Sequence, residues 1–167
     1  MTCEFCSLVA RKDLILFEDE LCAAVLAPRP AALGHILILP REHVTIIEQA
    51  PPPLVSRLFE VASRMSLLLF NKLGTRGTNI LLPNGVAAGQ QVAHLAVSVL
   101  ARVPDDGLQF QWEAKELPEE ELAGLEQRLS AALSGPKDPA SPASAPKAAE
   151  LADDPENYLL RHLHRRP

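Results

Sequence analysis

Residues 54–73 form the longest stretch of this chain with a helical period, and five apolar runs of strand length surround it. Leu54, Leu58, Val61, Met65 and Leu68 recur every three or four residues, the spacing that places side chains on one face of a helix. Pro51-Pro52-Pro53 stands before the run and Gly74 after it, a start and a stop for about five turns of amphipathic helix. The short runs are 14–17, 21–26 and 36–39 upstream, then 78–82 and 92–102 downstream. Each is apolar and bounded by turn residues, the pattern of strands. A lesser helical piece is expected over 5–11.

Bulk properties narrow the classes. The chain has 167 residues, 47% of them hydrophobic, enough for one domain plus an extension. Aromatics are only 4%, so the core must be aliphatic. A net charge of −5 argues against a protein that coats nucleic acid along its whole length, which needs a concentrated cationic surface, and leaves room only for a local basic patch. No run of apolar residues reaches the length that spans a bilayer. The start, Met1-Thr2-Cys3-Glu4-Phe5-Cys6, has neither the basic onset nor the long apolar run of a signal peptide. Three cysteines make no disulfide framework. A cytoplasmic protein with reduced thiols and no membrane association is expected.

Residues 1–116 read as one unit, within which Phe110 and Trp112 are spaced as on one face of a strand, with Trp112 in a core or an interface. Residues 117–133 read as a helix carrying Leu122, Leu125 and Leu129 on one face, and 134–154 as a Pro/Ala/Ser-rich linker. Residues 155–167 are apolar and basic, with Tyr158, Leu159, Leu160 and Leu163 beside Arg161, Arg165 and Arg166. Asp154 and Pro155 suit a helix start there. So short a helix needs a docking surface, and packing on the globular unit or a partner subunit is expected.

Cys3 and Cys6 are spaced so that two thiolates can bind one tetrahedral ion. Nothing precedes Cys3, which argues against a thioredoxin-like redox pair. His43 and His94 are possible further ligands, but spacing cannot join them to the pair, and a solvated thiol pair explains the cysteines equally well. Cys22, in an apolar run, reads as a packed core residue.

The most specific feature is Asn84-Gly85-Val86-Ala87-Ala88-Gly89-Gln90-Gln91-Val92-Ala93-His94-Leu95-Ala96-Val97-Ser98-Val99-Leu100. It resembles the signature of the histidine-triad (HIT) family, a glycine-rich loop followed by three alternate histidines on a strand. The likeness extends to Phe17-Glu18-Asp19-Glu20, to 34–43 and to the cysteine pair, covering 1 to about 103. It implies an α+β fold: an antiparallel five-stranded sheet with a long helix, here with a tethered C-terminal helical segment, and usually a homodimer. It also implies a zinc centre from Cys3, Cys6, His43 and His94. In the family the middle histidine attacks an α-phosphate and the third supports it.

Alternate residues of a strand share a face, so 94, 96 and 98 line one side while Leu95, Val97 and Val99 face the core. The nucleophile position is Ala96, which has no heteroatom, and the third is Ser98, a weak nucleophile without an adjacent base. The family's acidic ribose partner corresponds to Ala27, and its asparagine ahead of the loop to Pro83. No catalytic residue is therefore assigned. Asn84, Gly89, Gln90, Gln91 and Ser98 are the candidate nucleotide contacts, with backbone N–H groups of 85–91 as a phosphate cradle. A plain connecting loop explains the same glycines equally well. His35, after a glycine at a strand start, reads as structural.

Three functions follow as expectations. One is a non-catalytic, zinc-stabilised module that binds a protein partner, through the C-terminal segment. A second is a nucleotide sensor without turnover. The alternative is a HIT-family nucleotide hydrolase or nucleotidyl transferase with a non-standard site, which a closed four-ligand metal centre disfavours because it leaves no position for water.

Overall fold

The computed structural model of the chain describes residues 3–12 and 14–134. The linker beyond 134 and the 155–167 segment lie outside them. The described residues divide into two units, 3–106 and 107–134. In the first, α1 (Glu4–Arg11) is followed by β1 (Ile15–Glu18), β2 (Cys22–Leu26) and β3 (Ile36–Pro40), then α2 (Pro52–Leu73), β4 (Gly77–Leu81) and β5 (Val97–Arg102). The strands form one antiparallel sheet in the order β1-β2-β3-β5-β4. This is the expected α+β arrangement.

The sheet is covered on both faces, which explains the unbroken apolar runs of β2 and β3. Cys22, Ala24, Ile36 and Ile38 pack with Leu54, Leu58, Val61, Ala62, Met65 and Leu69 of α2. Their neighbours Ala23, Val25, Leu37 and Leu39 pack with Leu8 and Val9 of α1. Successive residues of a strand point to opposite faces, so each strand serves both cores. Leu69, not Leu68, belongs to the α2 core, and Leu68 is 38% exposed. The buried row advances by three or four from Leu54 to Leu69, and Leu68 falls at its edge.

Local chemistry sets the ends. Pro52 opens α2, and Gly74 closes it in the left-handed region at φ 62°, where a side chain is disfavoured. In the β1–β2 turn, Asp19 Oδ1 accepts hydrogen bonds of 2.9 Å from the N–H groups of Leu21 and Cys22, and its other oxygen accepts one of 2.7 Å from Arg57 on α2. Burial works against the charged form of Asp19, but the Cys22 N–H and the Arg57 guanidinium win and hold its carboxyl below the usual range.

Two expectations are corrected. The strand expected over 92–102 begins only at Val97. Upstream, the chain turns at His94, whose N–H donates to Val92 at 2.7 Å, and Leu95 N–H donates to Val44, so these amides leave the ladder. Residues 103–118 form no strand: the sheet ends in β1 and β4, and Trp112 is 87% exposed. In the second unit, α3 spans Glu119–Ser134, with Leu122, Leu125 and Leu129 exposed. Among the described residues no helix is long and apolar enough to cross a membrane.

Candidate metal centre and ligand cleft

Four donors separated by up to 91 residues converge beside the start of α1. Cys3 Sγ lies 3.5 Å and Cys6 Sγ 3.4 Å from Nδ1 of His94, and Cys6 Sγ lies 3.3 Å from Nδ1 of His43. All four ligand atoms are within 4.8 Å of one another. Zn–S and Zn–N bonds of about 2.3 and 2.0–2.1 Å at tetrahedral angles put neighbouring ligands roughly 3.4–3.8 Å apart, so these three edges fit a zinc ion. The group could hold a metal.

Second contacts orient the donors. His94 is 1% exposed, and its Nε2 lies 3.2 Å from the Pro40 carbonyl oxygen. Only a protonated Nε2 can donate there, which leaves the Nδ1 lone pair facing the thiols, the tautomer that a ligand needs. Burial pushes the His94 pKa down to about 4, against the Pro40 hydrogen bond and with help from His43. Burial, the hydrogen bond with Cys3 and the Cys3 charge push the Cys6 thiol up to about 11. A bound cation reverses that preference, because metal binding selects the thiolate and releases its proton. Cys22 behaves otherwise: it is fully buried in the core, and burial, with Asp19 nearby, pushes its thiol up to about 12.

A pH dependence follows for the metal-free protein. His94 is neutral when folded down to about pH 4, whereas an unfolded histidine protonates near 6.5. Between those values the unfolded state binds the extra proton, so stability falls as the pH drops from 6.5 to 4, by about 3 kcal/mol. Urea titrations of chelator-treated protein check this, and His94→Gln should flatten the profile in that window.

Next to the centre, on the α1 side of the sheet, is an open cleft of about 200 Å³. His94, Ala96 and Ser98 line it together, although of the three only Ser98 lies within β5. Ala96 packs against the Leu37–Leu39 side of the core, so the cleft floor at the nucleophile position is a methyl group. Ala27 and Pro83 line the walls, as do Gly89, Gln90 and Gln91.

Asn84 and Gln90 have their side chains engaged within the protein. Asn84 Oδ1 accepts from Ile47 N–H at 3.1 Å, and its Nδ2 donates to the Glu48 carboxylate at 2.8 and 3.0 Å. Gln90 is 6% exposed; its Oε1 accepts from Gly85 N–H at 2.7 Å, and its Nε2 donates to the Thr45 and Val92 carbonyls at 2.8 and 3.0 Å. Gln90 thereby closes the 85–89 turn and ties it to the segment after β3. Gln90→Leu should cost about 2–4 kcal/mol, since buried partners left without a hydrogen bond cost about 1–3 kcal/mol each. A change below 1 kcal/mol in urea unfolding would show that the turn stands without it.

The motif spacing missed Glu4, Phe5, Arg29 and Leu37, which also line the cleft. Their approach depends on where α1 and the turn after β2 are packed. His35 does not line the cleft; its Nδ1 accepts from Ala31 N–H at 3.2 Å.

Comparison with known proteins agrees with this geometry. The HIT domain family model matches residues 10–105. "Adenylylsulfatase HINT3" of Arabidopsis thaliana is 32% identical over 108 residues, 64% of this chain and 55% of that protein, so the chain spans about half of that relative. "Adenosine 5'-monophosphoramidase HNT1" of Saccharomyces cerevisiae is 29% identical over 80% of this chain and 84% of its own length. Among solved structures, a Zn-bound histidine triad family protein from Mycobacterium smegmatis has a TM-score of 0.61 at 31% identity, covering 78% of this chain and 98% of that one. A HIT family member from Bacillus subtilis has a TM-score of 0.73 over 81% of this chain and 100% of that chain; at 23% identity it supports the fold alone. The matched span runs from the end of α1 to just past β5 and contains the whole 84–98 loop and strand, and on that ground the chain belongs to the HIT-domain family.

Proposed function

We propose that this chain is a cytoplasmic, zinc-stabilised HIT-domain protein that binds a nucleotide without turning it over and works as a sensing or partner-binding module. The observation that carries the reading is the cleft floor: Ala96 stands between His94 and Ser98, with only a methyl group to offer an incoming phosphate. The side chains that remain, Gln91 and Ser98, suit binding rather than covalent chemistry. The N–H groups of Gly85, Ala88, Gly89 and Gln90 already donate within the turn, so the expected backbone cradle is not open there. Cys3, Cys6 and Cys22 are joined by no disulfide, which supports a reducing compartment. Zinc held by Cys3, Cys6, His43 and His94 would supply fold stability, since four protein ligands leave no open position.

The competing reading, a HIT-family hydrolase or nucleotidyl transferase, is favoured by the names of the two relatives above. It needs a base for Ser98. The imidazole in the cleft, His94, has Nδ1 turned to the thiols and Nε2 to the Pro40 carbonyl, so neither nitrogen is available to that hydroxyl. Calorimetric titration with mononucleotides and dinucleoside polyphosphates tests the proposal: saturable heat without product supports a sensor, and product formation overturns it. No heat at all would leave the partner-binding role, which a pull-down with and without residues 155–167 addresses.

The proposal includes a homodimer. Edge strand β4 and exposed Phe59, Leu67, Phe70 and Leu73 of α2 support it, the four residues spanning about a third of the helix circumference. Light scattering on a size-exclusion column should give twice the 18.1 kDa chain mass, and Leu67→Glu with Phe70→Glu should shift it to the monomer. A monomeric parent protein would remove the dimer from the proposal.

A further inference from the structure

Glu4 and Phe5 fill the two positions between Cys3 and Cys6, and both also line the cleft. The same turn of α1 therefore carries two metal donors and part of the ligand wall. His94 joins the two sites a second time. Its Nδ1 faces the thiols, it lines the cleft, and its ring meets the Phe5 ring edge-on, with centroids 6.0 Å apart at 78°. The Glu4 carboxylate accepts two hydrogen bonds from Nη2 of Arg29, at 3.0 and 3.1 Å, and Arg29 lines the cleft as well.

The attachments of α1 differ along its length. Leu8 and Val9 are buried in the sheet core, which holds the later turns. The first turn meets the body through the partly buried Cys3, Phe5 and Cys6 and through the exposed Glu4–Arg29 pair. An exposed ion pair contributes little, and thiol–imidazole contacts of 3.3–3.5 Å are weak. Four-donor ligation would replace those contacts by bonds to one ion and hold the first turn against the segments that carry His43 and His94, after β3 and before β5.

We propose that metal binding and ligand binding are linked in this protein: ligation at Cys3 and Cys6 sets Glu4 and Phe5 as the cleft wall, so the metal-loaded chain binds nucleotide more tightly than the metal-free chain. This rests on the zinc and nucleotide readings above. Linkage is reciprocal, so bound nucleotide must raise the affinity for metal by the same factor. Phe5 is a positioning and specificity residue in this scheme, with Ala27, Leu37 and Ala96 as the apolar surfaces that complete its wall.

The test uses the full chain, zinc-loaded and chelator-stripped, with adenosine 5′-monophosphate as the probe and metal content measured first. Stripping should weaken the nucleotide Kd by about tenfold or more, a coupling within the range known for linked sites. Competition against a chromophoric chelator should show zinc affinity raised by a matching factor in saturating nucleotide, after subtraction of protein-free controls. Equal nucleotide affinity with and without zinc overturns the linkage while leaving the zinc reading intact. A chain that never retains zinc overturns both.

Two readouts do not depend on the stripped protein binding or staying folded. Zinc-loaded Phe5→Ala should keep one metal per chain and lose several-fold in nucleotide affinity; unchanged affinity overturns the proposed wall. If the probe binds neither form, the nucleotide reading and the linkage both fail; where it binds, hydrogen exchange gives a second check on the linkage. Amides of Ala27, Arg29 and 89–92 should exchange faster on stripping, and unchanged exchange there, with α1 alone affected, overturns it.

Discussion

Nucleoside phosphoramidates and dinucleoside polyphosphates are expected to emerge unchanged from incubation with the purified chain. The motif position that supplies the family's nucleophile is Ala96, and the cleft floor there is a methyl group packed on the sheet core. No nucleotidyl intermediate can form on it. Loss of a covalent nucleophile costs up to about six orders of magnitude in kcat in a well-studied protease, so the expected rate is at or near background. The measurement is product formation by chromatography over many hours. Activity that co-purifies with the chain through two orthogonal columns, and is altered by Ser98→Ala, would establish the hydrolase reading instead.

The revertant Ala96→His is expected to recover little of a HIT-family rate. A histidine at 96 would meet Ser98 where the family has its third histidine, Ala27 where it has an acidic ribose partner, and Pro83 where it has an asparagine. Nucleophile and positioning groups act as a unit, so restoring one member regains a small share of the whole. Recovery to within tenfold of an active relative assayed alongside would show that the other three positions carry no weight.

The second large effect concerns the metal. Protein purified without chelator is expected to carry about one zinc per chain, and Cys3→Ser or His94→Ala to lose it. Where metal and folding are one event, zinc contributes up to about 10–16 kcal/mol. Here α1 has its own core anchors in Leu8 and Val9, so the cost should be smaller, on the order of 3–5 kcal/mol, with Tm lowered by roughly 10 °C or more. His94→Ala carries an added penalty because it removes a fully buried ring and its bond to the Pro40 carbonyl. Cys22→Ser, in the core on the α2 face of the sheet rather than on the face that carries the centre, should keep its zinc. Metal analysis that finds none in the parent protein removes the assignment.

Much of the fold was legible because it rests on local periods. The helical row of α2, its proline start and Gly74 stop, and the apolar runs of β1 to β4 are each written in a few consecutive residues. The misplaced start of β5 has a tertiary cause. Residues 92–96 have a strand's composition, but Leu95 N–H is taken by Val44, and the Gln90 amide takes the carbonyl of Val92. Leu68 shares the helical period of that row but not its burial, for a simpler reason: steps of three and four both satisfy a helical period, and only the packed sheet selects Leu69.

For the site, the chain's covalent identity already determined what chemistry position 96 can supply, because alanine lacks a heteroatom in any fold. Two-residue alternation led to the expectation that 94, 96 and 98 share a side; all three do line the cleft, but with His94 and Ala96 ahead of β5. What only the tertiary structure decided is convergence. Cys6 and His43 meet across 37 residues, and Cys3 and His94 across 91. The antiparallel register of β3 with β5 brings the ends of those strands together, and the packing of α1 on the same face of the sheet brings the cysteines to them. The inward turn of the Gln90 amide and the place of Phe5 in the cleft were decided at the same level. Spacing along a chain specifies which residues can share a face; which faces meet depends on loops closed over tens of residues and on the buried hydrogen bonds that hold them.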